Sequence, residues 1–334
     1  MAKFGKRFYT TRRENILENT GWDGAVDRSA TEVFLEKGSY SFSLRPVTMQ
    51  LNNVETVVSQ GIVRTPTPDD NKEREFGFVS DSYTIIQPLE LCQAFDECVA
   101  QPIATMGSRN KGEGLFISWQ LSSFTVGKDD KSNIYGLIYG GWNGGTGLSL
   151  SIITRRLWCE NMIRMTFRNL GNKVSLGEDA GRVFVGRHYE GMLNKMKIWM
   201  SHVQEKSEQR AKNIEMQMNI LNEKKVDSEY VKQFISFMYP QKTYDAMNYP
   251  SALAGEHELK LIAENSDSKK EADLVNELFN GAGTKINATR YGLLNAITEK
   301  NSWTGNNSDK LGLNVMFGAK NVENNKALTY LMSN

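Results

Sequence analysis

A chain of 334 residues, 40% hydrophobic and 10% aromatic, can bury a substantial core and suits one large domain or two of ordinary size. No apolar run reaches the roughly 18–20 residues that a membrane span needs, and the first residues lack an apolar signal-peptide centre, so a cytoplasmic chain with no membrane partner is expected. The net charge of +1 excludes a uniformly basic protein, but charge is segregated along the chain: Thr154 to Arg187 holds seven bases and three acids, and Gly255 to Asn280 seven acids and three lysines.

In chain order, residues 1–30 form a basic N-terminal arm, with Lys3, Lys6, Arg7, Arg12 and Arg13 and no acid among the first thirteen residues. Residues 31–187 read as a β-rich domain. Tyr40 to Leu51, Val54 to Thr65 and Phe76 to Pro88 alternate in the manner of strands, with a polar, proline-bearing loop between the last two. Pro88 is a favoured first-turn residue and opens a helix carrying Leu91, Cys92, Phe95 and Val99 on one face. Three antiparallel strands follow as a meander, through Gly112 to Leu121, Phe124 to Gly141 and Gly147 to Leu157, with a turn at Gly127 to Ser132 and a glycine-rich hairpin, "GGWNGGTG". Cys159 to Asn169 reads as a short helix or as a strand edge, with the helix favoured because Met162, Met165 and Phe167 do not alternate strictly.

The character changes at His188, and residues 188–334 read as helical. His188 to Asn222 contains one glycine and no proline, with Met192, Met196, Trp199 and Val203 at helical spacing, and predicts one long helix. Asp227 or Ser228 caps the next helix, which Pro240 ends, and Lys269 to Gly283 and Asn287 to Trp303 are two more. The fold class is therefore α+β, with an antiparallel β-rich part followed by a helical part.

Catalytic signatures are absent. The three histidines fall in no zinc-binding spacing, three cysteines make neither a disulfide framework nor a four-ligand site, and the glycine cluster lacks the lysine and the following helix of a phosphate loop. No metal or cofactor is expected and no catalytic residue is assigned. What remains is an interleaving of arginines and tryptophans: Trp142, Arg155, Arg156, Trp158, Arg164 and Arg168. Guanidinium forks grip phosphates and indoles stack on bases, as single-strand binding requires. At least one tryptophan is expected in the core, and strand alternation keeps Arg155 and Arg156 off a common face.

Three segments, "VSDSYTIIQPLE", "TRRLWCENMI" and "TRYGLLNAITEKNSW", resemble in order and spacing those of phage/plasmid-like proteins grouped as domain of unknown function 932. Ser80, Asp81, Tyr83 and Gln87 match the first motif, Arg156, Cys159 and Asn161 the second, and Tyr291, Gly292, Asn295, Ala296, Thr298 and Glu299 the third. Where that family has Asp-Gly at a turn, this chain has Asn143-Gly144, and its His-Thr is replaced by His188-Tyr189. The resemblance implies a mobile-element origin rather than a mechanism.

The expectation is a phage-type protein of DNA recombination, replication or repair that binds single-stranded DNA as a homo-oligomer. Two alternatives stand beside it. One is an enzyme on nucleotides or nucleic acid, with a pocket around Asp81, Arg156 and Asn161; the other is a ring-forming or virion-associated structural protein.

Overall fold

The computed structural model describes residues 21–52, 54–128, 130–156, 162–165, 182–240, 267–280, 288–303 and 319–333. The chain is α+β, with two antiparallel sheets in its first half and helices in its second.

A short helix α1 (Ala30–Val33) precedes the strands β1 (Phe42–Leu51), β2 (Val54–Arg64) and β3 (Arg74–Val79), which form a three-stranded sheet in that order. The β1–β2 hairpin is long, and from residue 48 to 57 its described residues are exposed on both faces. Helix α2 (Pro88–Cys98) starts as expected at Pro88, with Glu90 accepting from the Gln87 backbone N–H at 2.7 Å. The second sheet runs β4 (Ile103–Arg109), β5 (Gly114–Val126), β6 (Asp130–Gly141), β7 (Leu148–Arg156) and β8 (Met162–Met165), with β9 (Arg182–Gly186) also paired to β7. The meander β5–β6–β7 is antiparallel throughout. The segment from Cys159, expected as a helix, gives strand β8 at Met162–Met165, because its residues complete the ladder that β7 would otherwise leave open, Thr154 pairing with Ile163.

The expected long helix is two helices, α3 (Met192–Glu205) and α4 (Ser207–Glu223), broken at Lys206. The break falls in the polar stretch between two apolar stripes, and each stripe packs on a different part of the sheet. Met192, Met196, Met200 and Val203 join a cluster with Leu91, Phe95, Trp119 and Trp142. Ile214, Met218 and Leu221 join a second cluster with Phe124, Ile134 and Ile152. That cluster is closed by α5 (Ser228–Met238, capped by Asp227), α6 (Asp267–Asn280), α7 (Arg290–Trp303) and α8 (Ala319–Ser333). One helical face of the six-stranded sheet therefore holds both cores, and each buried large side chain contributes about 1.5–3 kcal/mol. No helix among the described residues is long and apolar enough to cross a membrane.

Candidate functional site

The glycine-rich turn joins the two sheets. Asn143 makes it rigid: its Oδ1 accepts from the backbone N–H groups of Gly145 and Thr146 and from the Thr146 hydroxyl, while its Nδ2 donates to Glu113 Oε1 at 2.7 Å. Gly144 has φ +77°, the left-handed conformation that glycine tolerates. Strand β3 crosses so close that a side chain at Gly77 would strike the Asn143 carbonyl.

Trp142, expected to stack on a base, is instead a core residue with no exposed surface. Its ring stacks on Phe42 at 5.0 Å, and its indole N–H donates to the Ile86 carbonyl at 2.8 Å. This corrects the expectation for a physical reason: a residue flanked by turn glycines can dive under the turn, where its area is buried and its one polar atom is paired. His188 sits beside it. Nε2 donates to the Gly141 carbonyl at 2.9 Å and Nδ1 accepts from the Ile86 N–H at 3.3 Å, so the ring is neutral, and burial pushes its pKa down to about 4.

The first motif serves this same junction. Gln87 holds β1 from both sides, accepting from the Phe42 N–H and donating to the Phe42 carbonyl. Tyr83 lies 5.6 Å from the His188 ring, and Asp81 is exposed and accepts from Gln60 at 2.8 Å. Asp81 is placed with the three-stranded sheet and Arg156 at the end of β7 in the other sheet. Cys92 is a buried thiol whose pKa burial raises, an inert core filler.

The second motif lies at the far end of β7. Arg156 pairs in register with Ser132, Arg155 with Asn133 and Met162, and Arg164 with Ile153. Trp158, Cys159, Asn161, Arg168, Lys6, Arg7, Arg12 and Arg13 lie outside the described residues.

The third motif is carried by α7, which with α8 packs against β8. Tyr291 donates to Asp130 at 2.9 Å and so ties α7 to the β5–β6 turn. Beyond it the helix buries polar residues in sequence: Asn295, Thr298, Glu299, Lys300, Asn301 and Ser302. Helix α8 answers with buried Asn321, Asn324 and Asn325. Lys300 donates to Tyr239 Oη at 2.8 Å, to Glu271 at 3.0 Å and to Glu323 at 2.6 Å, and Tyr239 in turn donates to Glu323. Asn301 donates to Asn324 at 2.7 Å. This polar core was not foreseen, since α7 and α8 lack the apolar stripe by which sequence reading finds a packed helix. The only signal was a run of uncharged and charged polar residues in a helix without an evident solvent face. Among the described residues no group of His, Cys, Asp and Glu side chains is arranged to hold a metal ion.

The second and third motifs thus meet at β8, which pairs with the arginine-bearing end of β7 and against which α7 and α8 pack. No curated protein and no solved structure matches the chain. A family model does match, over residues 75–329, which takes in all three motifs together with the glycine-rich turn and His188. The chain therefore belongs to the family described as Domain of unknown function (DUF932).

Proposed function

We propose that the chain is a nucleic-acid-binding protein of a phage or plasmid-like element. It binds single-stranded DNA as a homo-oligomer in recombination, replication or repair, along the β7–β8 edge. The observation that carries this reading is the register that brings Arg155 and Arg164 onto neighbouring strands, Arg155 opposite Met162 and Arg164 opposite Ile153. Two arginines at that spacing can grip successive phosphates, and the α7–α8 pair packs against β8. With Trp142 in the core, stacking falls to Trp158, and Arg168 and the basic N-terminal arm add charge.

Filter binding of labelled single strands at two salt concentrations tests the reading. Binding should weaken with salt, and Arg155→Ala with Arg164→Ala should lower the slope of log affinity against log salt by about 1.4, at about 0.7 per phosphate released. No binding at low salt, or binding without a salt slope, overturns it.

A further inference from the structure

The three-stranded sheet carries a second basic site, built around Arg64. Its side chain is 1% exposed, yet it holds a full positive charge. Nη1 donates to the Lys111 carbonyl at 2.7 Å, and Nη2 to Asp70 and the Lys72 carbonyl, both at 2.9 Å. Nε is buried without a partner. The one carboxylate that Arg64 touches among the described residues is shared, because Asp70 also takes a hydrogen bond from Arg74. That bond, and the one from Arg64, hold Asp70 at about 2, so it is anionic throughout the working range. One carboxylate therefore serves two guanidiniums, and a buried cation without full compensation is costly.

These groups line a cleft of about 190 Å³ with Trp22 and Tyr40. Among the described residues its lining includes four basic residues, Lys37, Arg64, Arg74 and Lys111, and two acidic ones, Asp69 and Asp70. Lys37 also touches Glu36, but both are exposed and such a pair is worth little. The loop that supplies Lys111 is held in left-handed conformation at Asn110, Lys111 and Gly112, an arrangement that aims the Lys111 carbonyl at Arg64. The volume is below the roughly 300–1,000 Å³ of pockets that engulf a drug-sized ligand, so it fits one ionic group.

We infer that this cleft is a phosphate seat, taking either free phosphate or the phosphate of a nucleotide. Among the described lining residues the charge excess is positive, and guanidinium and ammonium groups are the donors that match phosphate oxygens. The inference uses none of the β7–β8 arginines, so its failure leaves the nucleic-acid reading standing.

Isothermal titration of the full chain with sodium phosphate, with dTMP and with thymidine tests it. Saturable binding of phosphate or dTMP, and none of thymidine, is expected. Phosphate without dTMP would identify the free anion as ligand and dTMP without phosphate the nucleotide, and both support the seat. Lys37→Ala with Lys111→Gly should weaken that binding about tenfold, the glycine also relieving the left-handed position. If that pair unfolds, Lys111→Gly alone takes its place. The inference falls if neither phosphate nor dTMP saturates below about 10 mM, if thymidine binds as well as dTMP, or if the folded variant binds unchanged.

Discussion

His188 donates through Nε2 to the backbone carbonyl of Gly141, which fixes the imidazole as a neutral ring inside the junction of the two sheets. The same ring accepts from Ile86, so both nitrogens are satisfied only while it carries one proton. Burial lowers its pKa from the ordinary 6.5 to about 4. Between those values the unfolded chain binds a proton that the folded chain refuses. Stability therefore falls as pH drops through that window, by about 3 kcal/mol once both values are passed. Denaturation midpoints measured from pH 7.5 to 4 should show this slope, and His188→Gln, which can still accept and donate, should flatten it.

Asn143 offers a sharper electrostatic test. Its Nδ2 donates to Glu113, so Asn143→Asp would set two carboxylates at hydrogen-bond distance while leaving the turn's accepting oxygen in place. The variant should lose about 1–3 kcal/mol at pH 7. Like charges raise the folded-state pKa of the pair, so the deficit shrinks on acidification and grows as pH rises through that raised value. Asn143→Asp with Glu113→Gln should recover most of the loss in a urea titration.

The Lys300 cluster predicts an order. Its two carboxylates differ in exposure, Glu323 at 23% and Glu271 at 49%. Glu323 also accepts from Tyr239, whose pKa burial raises. Glu323→Gln should cost about 2 kcal/mol or more, and Glu271→Gln under about 1. Lys300→Met, which strands both acids, should cost about 3–5 kcal/mol. Equal losses for the two glutamates in chemical denaturation would show that the cluster is not organised as described.

The β1–β2 tip should be dispensable for the fold. Met49 and Thr56 pair across it and both are exposed, with exposed Val54 on the same face. Replacing residues 49–56 by Asn-Gly, which closes the Thr48–Val57 pair with a two-residue turn, should leave the denaturation midpoint within about 0.5 kcal/mol of the parent. A loss above about 2 kcal/mol would mean that the tip packs against the body of the protein.

The strands, the Pro88 helix, the meander and the Asp227 cap were legible because each rests on local chemistry: alternation, a fixed proline φ, a capping carboxylate. What escaped depends on partners far away in sequence. Strand β4 carries Ala104, Gly107 and Ser108, small residues that blur the alternation of a strand. Met162–Met165 lacks strict alternation and becomes a strand only because β7 supplies an edge. The break at Lys206 follows from two separate cores, which no single helical stripe reveals. Trp142 shows the limit for sites most plainly, since an indole beside arginines reads alike whether it faces a base or Phe42. The Lys300 core is the converse case, a buried centre written in residues that ordinarily mark a surface.

The sheet junction also has a kinetic meaning. Its hydrogen bonds span separations of 47 residues from Gly141 to His188, 56 from Ile86 to Trp142 and 102 from Ile86 to His188. Each closes a long loop before it returns any stabilisation, so none can guide early steps. The meander and the β1–β2 hairpin pair through short turns, so on loop-closure grounds the late event is their capture of Trp142 and His188 between them. A chain arrested before that event would show both sheets by far-ultraviolet dichroism while its central indole still reported water.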